Sequence, residues 1–111
     1  MTNKLKEKCK ELIKREFRVG DTLILLQSNG FKFWSWGSSN FTNFENKGLL
    51  FKVNGYHHKG YVLITLDWTD TYDVYILSTH GNVIDTYNMV YFDMLFDIID
   101  NRVERIPEYK I

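Results

Sequence analysis

The chain has 111 residues, 44% of them apolar and 25% charged, with fourteen Lys/Arg set against fourteen Asp/Glu and a pI near 6.8. That length and composition suit one globular domain, 1–111, built around one core, and exclude a disordered or collagen-like chain. Zero net charge gives no bulk attraction to nucleic acid or anionic membrane, no apolar run approaches the roughly 20 residues of a membrane span, and Cys9, the single cysteine, cannot form an internal disulfide.

The first element is a helix over about Asn3 to Arg18, with Leu5, Cys9, Leu12, Ile13 and Phe17 along one face and Lys/Arg over the rest. Its dense charge leaves no room for a signal peptide, so a soluble, cytoplasmic protein is expected. From Thr22 the pattern changes to short aliphatic and aromatic runs divided by Gly and Asn. These read as strands at Thr22 to Gln27, Phe31 to Trp36, Gly48 to Val53, Tyr61 to Asp67, Tyr72 to Ser78 and Asn82 to Thr86. Asn29-Gly30 and His80-Gly81-Asn82 are hairpin signals, because tight hairpin turns need positive φ. A long loop is expected over Gly37 to Lys47, and a turn closed by Asp and Thr side chains over Asp67 to Thr71. A last helix should begin near Asn88 and stop before Pro107. The fold class is therefore α+β: an N-terminal helix, an antiparallel meander of five or six strands forming an open sheet or a small SH3/OB-like barrel, and a C-terminal amphipathic helix.

Charge is divided unevenly along this order. Residues 1 to 60 carry eleven Lys/Arg against five Asp/Glu, and residues 61 to 111 carry three against nine. In the last helix Asp93, Asp97, Asp100 and Glu104 recur at spacings of four, three and four, which places them within an arc of about 60°, opposite Phe92, Leu95, Phe96, Ile99, Val103 and Ile106. This acidic face is a candidate docking surface, or a plain solvated one. The opposite charges of the two halves also permit a homodimer, or neutralisation of the two helices side by side within one copy.

Six aromatics fall within residues 31–44. Trp34, Trp36, Phe41 and Phe44 are candidate apolar anchors for a partner protein, with core packing as the competing use. Rings flanked by Lys32, Lys47, Lys52 and Lys59 are also the ingredients of a platform for single-stranded nucleic acid. His57, His58, His80 and Cys9 show no zinc spacing, and neither a nucleophile elbow nor a P-loop is present. No catalytic residue, cofactor, metal or membrane contact is therefore expected. The chain lacks alanine and is rich in Asn, Lys, Ile, Phe and Tyr, as an AT-rich gene produces, which points to an accessory protein of a phage or mobile element. The residues support a small non-enzymatic module that binds another protein, with single-stranded nucleic-acid binding or a self-associating structural role as alternatives.

Overall fold

The structure, a computed structural model, describes residues 3–104 apart from the side chains of Phe31 and Lys32. Its elements in chain order are α1 (Asn3–Leu12), α2 (Val19–Gln27), α3 (Phe31–Ser35), β1 (Ser39–Asn43), β2 (Gly48–Asn54), β3 (Lys59–Leu66), β4 (Tyr72–Leu77), β5 (Val83–Val90) and α4 (Leu95–Val103). The strands make one antiparallel sheet in the order β1-β2-β3-β4-β5. This is the expected α+β meander, and it is open: β1 and β5 are its two edges.

Alternation along the central strands builds a core on each face. Leu49, Phe51, Val53, Val62, Ile64, Val74 and Ile76 point to one side, where α2, α3 and α4 cover them with Leu26, Phe33, Trp36, Phe96 and Ile99. Their neighbours Leu50, Leu63, Tyr75 and Leu77 point to the other side, under Leu5 and Cys9 of α1. Burial on both faces explains why β2, β3 and β4 read as continuous apolar runs. Each fully buried Leu or Ile contributes about 1.5–3 kcal/mol. Because α1 and α4 lie on opposite faces, the two helices do not neutralise one another within a copy.

Several elements differ from expectation. The first helix ends at Leu12 and not near Arg18, since the following residues are tethered to the sheet: Phe17 N–H donates to Asn46 O at 2.9 Å and Lys14 reaches Asp67 and Asp73. Thr22 to Gln27 lies in α2, where Val19, Thr22 and Leu26 are buried at helical spacing. Phe31 to Trp36 forms α3 and its C-cap, which turns Phe33 and Trp36 inward together. Alternation would have separated those two rings. The positive φ of Gly30 serves a link between helices instead of a hairpin. Residues 37–47 contain β1, and Asn88 lies within β5, so the last helix begins at Leu95. The expected stop at Pro107 lies outside the described residues.

Two glycines let the helices approach the hairpins. Gly81, at φ +93°, closes the turn after β4, and a Cβ there would stand 2.8 Å from Leu5 Cα of α1. On the other face, a Cβ on Gly55 would overlap the side chain and carbonyl of Val103 at the end of α4. His57 N–H donates to that same Val103 carbonyl at 2.7 Å. Gly55→Ala should therefore cost about 1–3 kcal/mol through displacement of α4. Gly20→Ala, whose Cβ meets open space near the start of α2, should be neutral or stabilise by up to about 1 kcal/mol. Urea unfolding of both variants checks this contrast, and equal effects would sink the close-approach argument.

Candidate functional site

Trp36 determines how the candidate residues are distributed. Its ring is fully buried, stacked on Phe96 with centroids 4.8 Å apart and on Phe51 at 6.3 Å. A buried N–H without an acceptor costs about 1–3 kcal/mol, and Trp36 Nε1 donates to Asp100 Oδ1 at 2.9 Å. Asp100 is accordingly only 7% exposed. The indole is thus core, and Asp100 is drawn out of the acidic face to serve it.

The remaining anchors divide in the same way. Phe44 is buried beneath α1. Phe41, 37% exposed, covers Phe33 and Phe51 from the β1 edge at 6.0 and 5.4 Å. Trp34 is 70% exposed and stands edge-on to Phe33. Of the carboxylates, Asp93 precedes α4 and Asp97 sits on it, both exposed. Glu104 turns toward the β2–β3 hairpin, accepting the Tyr56 N–H at 2.9 Å. The four carboxylates therefore share no single face. Among the lysines, Lys52 and Lys59 line one cleft, Lys47 is half-buried in the β1–β2 turn, and the side chain of Lys32 lies outside the description.

The structure instead exposes a surface that residue patterns did not single out. Along β5 and the turn after it, Val83, Ile84, Met89, Tyr91, Phe92 and Met94 are all exposed, Met89 at 62% and Phe92 at 68%. Native sheets usually blunt such an edge with lysine or proline, yet residues 83–94 contain no Lys, Arg or Pro. The edge carries a different device. Register shifts opposite Tyr72–Val74 and Ile76–Leu77 insert one extra residue in β5 at each place, and Met89 has φ +57°. Bulges of this kind bend a strand and re-aim side chains. The missing gatekeepers were legible as a signal; the exposure was not.

Other candidate groups are engaged within the fold. Asp67 accepts hydrogen bonds from Thr69 N–H and Oγ1–H and from Lys14 Nζ. The Lys14 bond, with those from Thr69, holds the Asp67 carboxyl down at about 2. Lys14 also bonds buried Asp73 at 2.6 Å, and its ammonium is pushed above its ordinary range. Arg15 pairs with Asp70 and lies over the Trp68 ring. The acidic β3–β4 turn thus receives part of the basic N-terminal charge. Burial pushes the Cys9 thiol up to about 11, leaving little thiolate near neutrality. No group of three or more His, Cys, Asp or Glu is placed to hold a metal ion among the described residues, and no described helix is long and apolar enough to cross a membrane. No protein-family model, curated protein or solved structure matches the chain.

Two predictions follow from the buried polar groups. Asp100→Asn keeps an acceptor for the indole, whereas Asp100→Ala strands it, so Ala should cost about 1–3 kcal/mol more than Asn. Thermal unfolding of both variants in the wild-type and Trp36→Phe backgrounds checks this, and the Ala–Asn difference should shrink once the N–H is gone. His58 is buried, with Nε2 3.1 Å from Leu77 O and 3.3 Å from Tyr61 O. Desolvation lowers its pKa below the ordinary 6.5. Since the unfolded chain takes up that proton first, stability should decline as pH falls through about 6.5. A melting temperature that drops equally between pH 7 and 5.5 in His58→Gln would refute the assignment.

Proposed function

We propose that this protein is a non-enzymatic binding module whose partner is another protein, held by the apolar rim formed by β5 and residues 91–94. The single observation that carries the reading is the concentration of large exposed apolar side chains on one sheet edge free of Lys, Arg and Pro. Exposed apolar area of this kind is expensive in water, and continuous patches mark interaction surfaces. Met and aromatic side chains, as at Met89, Tyr91, Phe92 and Met94, are enriched at the centres of interfaces.

The two bulges in β5 favour recognition through side chains over a long run of backbone pairing, because a bent strand offers few consecutive free N–H and C=O groups in register. Asp93, between Phe92 and Met94, is the natural charged contact at the rim and suits a partner carrying Lys or Arg there. Trp34, the one exposed indole of α3, remains a second contact. A homodimer is one form of this reading, and the AT-rich composition supports an accessory role in the cytoplasm on behalf of a phage or mobile element.

The test replaces two rim residues with small polar ones. Met89→Ser with Phe92→Ser should shift stability by no more than about 0.5 kcal/mol, as expected for exposed positions. The same variant should lose partners captured by the wild-type protein from its host lysate, or convert a wild-type dimer to a monomer in light scattering. Association through an apolar rim should persist at high salt, whereas pairing of the charged halves should dissolve. A double variant that retains every partner and the wild-type oligomeric state would overturn the proposal.

A further inference from the structure

The opposite edge of the sheet carries a groove of different chemistry. One hollow of about 540 Å³ lies between α1 and β1 and is lined by Lys6 and Lys10. A second, of about 460 Å³, follows along the same strand toward the β2–β3 hairpin and is lined by Lys52 and Lys59. Ser39 and Asn40 line the second hollow and Thr42 and Asn43 the first, so the two succeed one another along β1. Ser39 lies opposite Lys52 and Thr42 opposite Leu50, which places these two on the face that α1 covers, while Asn43, opposite Leu49, belongs to the other face.

The groove lysines, like Lys4 and Lys47, lack the carboxylate partner that the remaining cations have among the described residues. Lys8, Lys14, Arg15, Arg18 and Arg102 each pair with a carboxylate. Lys6, Lys10, Lys52 and Lys59 form no ion pair among the described residues, and Glu45 is the only acid in the groove wall. Spacing adds to this. Lys6 and Lys10 stand about one helical turn apart, roughly 6 Å along the axis. Lys52 faces Tyr61 and Asn54 faces Lys59, so the two lysines are diagonal neighbours at about 7–8 Å. Both separations match successive phosphates on an extended strand. The neutral wall of Ser, Asn and Thr can donate to phosphate and accept from sugar or base, and half-buried Tyr61 puts one aromatic ring beside Lys52.

We infer that this α1–β1 groove binds a single-stranded polynucleotide, with Lys6, Lys10, Lys52 and Lys59 on its phosphates. A flexible strand can follow a narrow groove along five residues of β1, whereas a duplex touches only its rims. The site is independent of the β5 rim, so either can fail without the other. Release of condensed counterions gives the inference a measurable signature. Four phosphate contacts on a single strand predict a slope of about −2.8 for log affinity against log salt, or roughly a 50-fold loss between 50 and 200 mM.

Fluorescence anisotropy with labelled 20-nucleotide DNA and RNA probes at 50–200 mM salt tests it on the full chain. Lys52→Gln with Lys59→Gln, both exposed, should leave the melting temperature within a degree or two, halve the slope to about −1.4 and weaken binding at 50 mM. Lys6→Gln with Lys10→Gln should act equally. Binding confined to DNA or to RNA supports the groove and names its ligand. The inference is overturned by no binding of either probe at 50 mM salt, by a variant that binds with the wild-type slope, by duplex binding tighter than single strand, or by poly-glutamate competing as well as the oligonucleotide.

Discussion

The burial of one indole N–H ties α3 and α4 to each other and to the end of β2. Trp36 ends α3 between Phe96 and Phe51, and the acceptor that meets its nitrogen comes from α4. Asp100 accepts from it at 2.9 Å, which sets the rotation of α4 about its axis: Leu95, Phe96, Ile99, Asp100 and Val103 go inward together. With rotation and height set, Val103 arrives at the β2–β3 hairpin, where His57 N–H takes its carbonyl and Gly55 leaves room for it. Glu104 then meets the Tyr56 N–H. Trp36 O completes the circuit by accepting from Asn54 N–H at 2.8 Å. One donor's need for a partner thus connects α3, α4 and the end of β2.

The same constraint explains where residue patterns were a sound guide and where they were not. β2, β3 and β4 were legible because strands buried on both faces are apolar throughout and bounded by turn residues. The α+β class was legible for the same reason. Residues 22–36 were not, because a short apolar run fits a strand or a buried helix equally well by periodicity. Only packing tells that Val19, Thr22 and Leu26 form one side, or that Phe33 and Trp36 do. Positive φ at Gly30 was foreseen, but that requirement is common to hairpins and to links between helices. The acidic stripe was inferred from angular position alone, which carries no information about a buried donor six elements away.

Charge was legible in amount but not in destination. The basic surplus of the first sixty residues divides after α1. Lys14 and Arg15 fold down onto Asp67 and Asp70 of the β3–β4 turn and Asp73 of β4, and this pairing ends the first helix early. Of the lysines before that point, on α1, Lys8 pairs with Glu11 of its own helix, while Lys6 and Lys10 form no ion pair, with Glu45 alone among the acids lining their hollow. The sheet lies between them and the carboxylates of α4, so the two poles remain apart on opposite faces. Lys14 and Arg15 reach across to the sheet because the β3–β4 end of the meander places Asp67, Asp70 and Asp73 there.

An open sheet must also deal with two free edges, and here the two are managed by different means. β1 is five residues long and polar, which leaves little to template a further strand. β5 is eight residues long and lacks the usual gatekeepers, so its protection must come from shape. Two bulges interrupt its register, and Met89 at positive φ bends the strand where its side chain turns outward. A non-glycine residue in that region costs of order 1–3 kcal/mol, which the surrounding pairing must offset. Lysine at this position would bear the same backbone strain and blunt the edge as well. Retaining a strained, apolar residue at the outer rim is consistent with a surface kept for contact and shaped so that backbone pairing cannot propagate from it.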